Sequence, residues 1–435
     1  MKELEYSMAI IEDHPLRYQL ANELHARPFP SMKAPYAAAY IAFKQPKMAA
    51  SRDRNSDNEH LFKLLDRHGA PHPQPGATHY YGQIGRHWLK WEQHTEFVTY
   101  TVFSEGVQAQ PFNQNAFDPF PHDWLEHAPG QRITSILMRV ELRPDAEVIW
   151  NKLEEWFVPE SLAVSTVLDD AAIMAGDFRI DPNGHMRFVV FASDQTGERR
   201  IGRIVQRLCE IETYKSMSML GFARVRGMGA QLATLDTRLT ELVTTMSVHS
   251  SKAEETLDAL LAISADFETL SAQSSFRFAA TAAYEALVNQ RIESLRENRF
   301  NGRQSFGEFM MRRYQPAMRT VKSAQERLDV MSSRGVRAAN LLRTRVDVER
   351  SAQNQALLES MDKRSDLQLR LQRTVEGLSV VAISYYAVSL ASNLLYPLSL
   401  SVEGFSKGML TAIVTLPVVA AVWWMVRRLR RAVYK

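Results

Sequence analysis

Apolar and polar positions change period along this chain. Between residues 37 and 192 they alternate in short runs, so 37–43, 88–92, 96–103, 133–142, 162–168, 172–180 and 186–192 read as strands. Within 96–103, Val98, Tyr100 and Val102 share one face, and Phe97, Thr99, Thr101 and Phe103 share the other. The turn Asp181-Pro182-Asn183-Gly184 joins the last two runs as a hairpin. Residues 61–68 form a short helix closed by Gly69 and a Pro-rich run, and 145–157 form a second. Residues 46–60 and 104–130 read as polar loops. Ahead of them Leu16, Leu20 and Leu24 have helical spacing, which Pro28 ends. The pattern predicts an α+β domain over 36–192 built on a largely antiparallel sheet.

After Ala192 the strand period does not return. Residues 200–249 read as one long helix, with Leu232, Leu235, Leu239, Leu242 and Met246 three or four apart. Residues 253–298 form another, and the two fold back as an antiparallel pair. Asn301-Gly302 marks a turn, and Pro316 breaks or kinks the helical stretch around it. From Ala338 there is no Pro or Gly until Gly377. Val346, Arg350, Gln353, Leu357, Met361, Arg364, Gln368, Leu371, Val375 and Leu378 keep steps of three and four. A helix over 338–398 would be ~90 Å long. Its seam is half polar, unlike a tight dimeric coiled coil. Two arrangements fit: a stalk packed on neighbouring helices with one wet side, or a wide, hydrated ring of identical stalks.

The chain closes on two stretches without charge, 378–398 (LSVVAISYYAVSLASNLLYPL) and 409–426 (MLTAIVTLPVVAAVWWMV). As helices they are ~31 and ~27 Å long, matching a hydrocarbon core of about 30 Å. Glu403 and Lys407 lie in the connection, and Tyr396, Trp423 and Trp424 are placed for the interfaces. Lys363, Arg364, Arg370 and Arg373 precede the hairpin; Arg427, Arg428, Arg430, Arg431 and Lys435 come after it. The positive-inside rule puts both termini in the cytoplasm. The predicted divisions are an α+β domain over 1–192, a long-helix pair over 193–300, a stalk over 301–377, the transmembrane hairpin over 378–426 and a basic tail over 427–435.

Composition adds limits. The 435 residues carry a formal charge of +3, partly from the membrane-flanking arginines, which gives no argument for nucleic acid. A single cysteine, Cys209, excludes an internal disulfide and suits a reducing compartment. The first thirty residues hold no signal-peptide run. Eleven of twelve histidines precede residue 193. Yet no HExxH or paired CxxC occurs, and no nucleophile elbow or phosphate loop points to an enzyme. His68 and His72 straddle a Pro-rich turn. Glu92, His94 and Glu96 meet where two strands join; a divalent cation is a conceivable ligand, and no other cofactor is indicated. Glu23, His25 and Arg27 could form an anion, substrate or partner site, or anchor a loop. In the first span Tyr385, Ser389, Ser392 and Tyr396 share a face with Asn393 beside it. Such hydroxyls either satisfy helix packing or, in a ring of copies, line a polar pore with Glu403 repeating at its outer mouth.

At residues 22–29, NELHARPF, and at 357–381, LLESMDKRSDLQLRLQRTVEGLSVV, the chain resembles a family of uncharacterised bacterial proteins predicted to be membrane-anchored. In layout it is similar to CorA-type divalent-metal channels over roughly residues 130–435. That likeness implies a homopentamer in the inner membrane whose first membrane helix lines a pore. The hallmark Gly-Met-Asn of those channels is absent; the region reads Ser392-Asn393-Leu394-Leu395-Tyr396-Pro397, and only the asparagine carries over. The expectation is a two-span inner-membrane homo-oligomer that passes or senses cations. The alternative is a membrane-anchored scaffold whose α+β domain binds a partner.

Overall fold

The computed structural model describes residues 13–18, 29–248, 253–399 and 406–433. The chain divides into two compact units, Met1–Thr245 with Ala259–Arg337, and Met246–Asp258 with Ala338–Lys435.

The first unit is organised on a nine-stranded mixed sheet. Its strands are β1 (Tyr36–Lys44), β2 (His79–Ile84), β3 (His87–Gln93), β4 (Phe97–Glu105), β5 (Gln131–Leu142), β6 (Ala163–Val167), β7 (Ala172–Ile180), β8 (Met186–Ala192) and β9 (Asn298–Arg299). They lie in the order β2-β3-β4-β1-β5-β8-β7-β6-β9. Every neighbouring pair is antiparallel except β5 and β8, which run parallel with Ile136 opposite Met186. The sheet is thus largely antiparallel, as the sequence pattern predicts, with one parallel pair within it. Side chains alternate with a period of two in either case, so the local pattern is blind to direction. A helix between β5 and β6 carries the chain back, and two reversals then leave β8 parallel to β5.

Both faces of the sheet are covered. On one side sit α1 (Arg54–Arg67), α2 (His122–Glu126) and α3 (Ala146–Trp156). Leu61, Leu64, Leu65 and Trp124 pack with Ile41, Trp91, Tyr100 and Val102; Ile149 and Leu153 pack with Val164, Ile173, Val189 and Phe191. Fully burying one such side chain stabilises by about 1.5–3 kcal/mol. The opposite face meets α4 (Glu198–Val248) and α5 (Ala253–Leu295). Tyr40 shares a hydroxyl hydrogen bond of 2.6 Å with Thr213, and Phe97 meets the rings of Tyr214 and Tyr284. Glu96, buried beside them, pairs with Arg277 of α5. The register of the antiparallel α4–α5 pair follows from Tyr214 stacked on Tyr284 and Arg224 donating to Ser274 at 3.0 Å.

Two elements differ from the sequence reading. Helix α1 starts at Arg54, inside the expected polar loop, because Asp53 caps it by accepting from the Asn55 amide. The polar run conceals a buried network. Arg52 bonds Asp57 and the carbonyls of Ala49, His94 and Phe97, with both charged side chains enclosed. Such a pair persists because hydrogen bonds replace the lost hydration. His60 lies flat on Trp124 at 3.9 Å between centroids, with Nδ1 2.9 Å from the Tyr100 hydroxyl and Nε2 3.0 Å from the Trp124 carbonyl. Burial pushes its pKa down to about 4. A neutral ring donating from Nε2 and accepting at Nδ1 satisfies both contacts. Strand β2 had no clear signal, since only Tyr80 and Ile84 of its residues are buried.

Helix α6 (Phe306–Arg313) carries a capping box between Ser305 and Glu308. Helix α7 (Gln315–Ser399) comes next. The helical run is interrupted at Tyr314, and Pro316 sits in the first turn of α7, where a proline gives up no helical hydrogen bond. Tyr314 bonds Ser218 at 2.8 Å, and Arg327 pairs with Asp236 at 2.6 Å, so the start of α7 lies along the α4–α5 pair.

In the second unit Arg350 pairs with Glu254 at 2.5 Å, and Arg345 donates to the Met246 carbonyl at 3.3 Å. Leu342 and Val346 are buried. Beyond them residues 351–379 of α7, about eight turns, are exposed apart from the half-buried Glu376. Helix α8 (Lys407–Val433) completes the unit.

Candidate functional site

The end of α7 and the start of α8 form an antiparallel hairpin. At one end the Lys407 ammonium lies 5.2 Å from the centre of the Tyr396 ring. Toward the other, Val426 shares a groove with Val375, Glu376, Ser379 and Val380. Between these ends Ser384, Ser392 and Val422 are buried, while Ala387, Val388, Ala391, Val414, Thr415 and Val418 are half-buried. Small and β-branched side chains let two helices approach closely where lipid supplies no hydrophobic drive. The Ser384 and Ser392 hydroxyls have no hydrogen-bond partner.

The remaining surface of the hairpin is apolar and uncovered. Leu378, Val381, Tyr386, Leu390, Leu394, Met409, Ile413, Leu416, Trp423 and Trp424 are all exposed. Both helices are long and apolar enough to cross a membrane, and only 6% of the apolar stretch of α8 is buried. A soluble core helix of this composition would be enclosed by its own fold. The guanidinium groups of Arg427 and Arg428 lie 4.9 Å and 5.3 Å from the rings of Trp423 and Trp424. Arg430 and Arg431 fall within α8, where only the backbone is described.

The hairpin contact divides the hydroxyl positions. Ser384, Val388 and Ser392 turn toward α8. At 100° per residue, Ala382, Tyr386, Ser389 and Asn393 fall on the opposite side of α7. Tyr385 is exposed on the flank, and Tyr396 lies at the Lys407 end. So Ser392 parts company with Ser389. The expected face is a flank of the helix, part of it under α8.

A longer alignment emerges. The stalk positions Leu357, Met361, Arg364, Gln368, Leu371, Val375 and Leu378 continue in the same steps of three and four through Ala382, Tyr386, Ser389, Asn393 and Tyr396. Within the hairpin, Ala382, Tyr386, Ser389 and Asn393 of that line fall on the side of α7 away from α8, while Gln368, Leu371 and Val375 border the groove beside Val426 and Tyr396 meets Lys407. Tyr386 and Ala382 had not been singled out; extending the heptad count past Leu378 finds them. Ser389 and Asn393 place a hydroxyl and an amide on this line, and no carboxylate falls between residues 377 and 399.

The other positions give less. Glu23, His25, Arg27 and Glu403 lie outside the described residues. His72 bonds Asp66 at 2.7 Å, and His68 bonds the Pro119 carbonyl at 3.1 Å. His94 stacks on Phe97, Glu96 is taken by Arg277, and Glu92 lies 3.2 Å from Lys90. Among the described residues no group of three His, Cys, Asp or Glu side chains is placed to hold a metal ion. Ser104 lies 2.7 Å from Nδ1 of His87, which resembles a nucleophile and base. However, the Arg86 guanidinium donates to Nε2 of that ring at 3.3 Å. Arginine is always a donor, so the neutral ring carries its proton on Nδ1 and donates to the serine. That tautomer cannot take the hydroxyl proton.

Over residues 12–433 the sequence matches the family described as protein of unknown function (DUF3422). The chain belongs to that family. No curated protein and no solved structure matches it. The match spans the sheet, the long helices and both apolar helices.

Proposed function

We propose that this DUF3422 protein is a homo-oligomer of the bacterial inner membrane that passes cations along an axis shared by its α7 helices. The observation that carries the reading is the single line from Leu357 to Tyr396. It is exposed along the stalk, and its middle positions in the hairpin, Ala382, Tyr386, Ser389 and Asn393, lie opposite the side of α7 that Ser384 and Ser392 turn toward α8. A helix whose periodic apolar positions are bare for about eight turns gains stability from association with like helices. Copies that meet along this line place α8 toward lipid, with Tyr386, Ser389 and Asn393 toward the axis. The polar members Arg364 and Gln368 fit a hydrated ring better than a tight two-stranded coil.

Hydroxyl and amide oxygens suit a cation that keeps most of its water. With the basic end at Arg427 and Arg428 facing inward, the α+β unit lies in the cytoplasm. A CorA-type assembly of five copies is the specific form of this proposal, with divalent cations as its cargo.

The test is cation flux into liposomes from purified oligomer. Magnesium, cobalt or potassium entry is expected, and changing Ser389 and Asn393 together to Leu should reduce it at least tenfold. A Ser392→Leu change should act on hairpin packing instead. A monomer in native membranes, or an oligomer that passes no mono- or divalent cation, overturns the reading and leaves the membrane-anchored scaffold.

A further inference from the structure

A large cavity lies far in sequence from the hairpin, in the first unit. Its volume is about 1090 Å³. That is at the upper end of ordinary small-molecule sites, roughly 300–1,000 Å³. Its walls come from the segment before β1, the edge strand β2 and its neighbour β3, the end of β4, and the first turns of α4.

One wall is aromatic. Tyr81 and Trp88 line the cavity and stack on each other at 5.2 Å between centroids, 17° from parallel. They sit two residues out of register on adjacent strands, on the sheet face that meets α4. Neither ring is fully covered. Phe29 adds a third ring.

The other wall is cationic. Lys33, Arg199 and Arg203 line the cavity, and Arg200 joins Arg199 and Arg203 around an adjoining recess. The spacing Arg199, Arg200, Arg203 puts all three on one side of the first turns of α4. Among the described residues no carboxylate lies within ion-pair distance of these four cations. Elsewhere in this unit Arg52, Arg67, Arg139, Arg187, Arg277 and Arg291 are each paired with one. Arg203 instead lies 5.2 Å from the Phe29 ring centre. Glu198 and Glu105 also line the cavity, and Glu198 accepts from the Ser31 hydroxyl at 3.0 Å. The positive field extends along α4. Burial, then the like charges of Arg203 and Arg291, lower the Arg207 guanidinium from its ordinary value.

We infer that this cavity binds a nucleoside phosphate, with the base against Tyr81 and Trp88 and the phosphates on Arg199, Arg203 and Lys33. A flat ring gains about 1–3 kcal/mol by stacking on an aromatic side chain. Arginine holds phosphate through a fork of donors, and the positive end of a helix adds to the attraction. Neither wall alone selects such a ligand. An aromatic wall without cations would take any apolar ring, and a cationic wall alone would take any anion. The inference does not depend on ion passage.

The experiment is equilibrium binding of ATP, GTP, AMP, adenosine and inorganic phosphate to the intact protein in detergent, read by calorimetry and by Trp fluorescence. A nucleotide should bind with a dissociation constant below about 1 mM (~4 kcal/mol). Adenosine and phosphate alone should each bind at least tenfold more weakly. Arg203→Gln and Arg199→Gln replace exposed side chains and should each weaken nucleotide binding tenfold with the unfolding temperature unchanged. Trp88→Leu should weaken nucleotide and leave phosphate alone unaffected. Arg226→Gln, further along α4, should change nothing. No saturable nucleotide binding by the folded protein, equal binding of phosphate alone, or indifference to both arginine changes would overturn the assignment.

Discussion

Two stretches of α7 carry the same spacing of apolar positions and have different surroundings. Met318, Leu328 and Leu342 are each 2% exposed. Leu357 and Leu371, on the same helix and in the same period, are 60% and 66% exposed. The first stretch is covered by the chain's own helices. The second is left largely exposed among the described residues. A helical period states that a side needs covering, and it does not state what covers it. In the first stretch the answer is α4 and α5; in the second we assign it to further copies of the same helix and, past residue 378, to lipid.

The largest expected effect comes from charging the bare stretch. Leu357→Lys with Leu371→Lys places like charges along the line on which copies meet. The assembly should fall to monomers by light scattering in detergent. Unfolding of the sheet-containing unit should shift by no more than about 0.5 kcal/mol, as for other exposed positions. A wild-type protein already monomeric in native membranes would remove the distinction between the stretches.

The covered stretch should respond the other way. Leu328→Ala opens a cavity and should cost about 2–5 kcal/mol in thermal or denaturant unfolding. Its oligomer mass should be that of the parent. If Leu328→Ala dissociated the oligomer while leaving the fold stable, the roles of the two stretches would be reversed.

A smaller effect sharpens how dry the closed region is. Burial depresses His60 to about 4, below its unfolded value near 6.5. The folded state then binds fewer protons than the unfolded chain between those values. Stability is full above pH 6.5 and falls as pH drops toward 4, by up to about 3 kcal/mol. Nuclear magnetic resonance of labelled histidine should show the His60 ring titrating near 4, with Tyr100 and Trp124 sensing the same step. Titration near 6.5 would mean that water reaches it.

Much of the architecture was legible in local pattern. The strands at 172–180 and 186–192, the long helices on either side of residues 249–252 and the two apolar helices follow from period and turn chemistry. The start of α1 was not legible, because Asp57 and His60 look solvated until Arg52, Tyr100 and Trp124 converge on them. The candidate line on α7 was half legible. Its stalk positions were visible as a heptad, and Ser389 as a hydroxyl within a span. That Ser392 turns under α8 required the second helix in place. The cavity at Arg199 and Arg203 left no motif, since its aromatic wall lies more than a hundred residues earlier and meets them only across the folded sheet.

The sequence by itself determined where this chain alternates, where it coils and where it becomes too apolar for water, because backbone period and side-chain solvation act over neighbouring residues. Only the tertiary structure decided that β8 runs parallel to β5, that Lys33, Arg199 and Arg203 share one cavity with Tyr81 and Trp88, and which side of α7 turns away from α8. Those facts rest on groups brought together across many residues, and no local preference specifies which of them will meet.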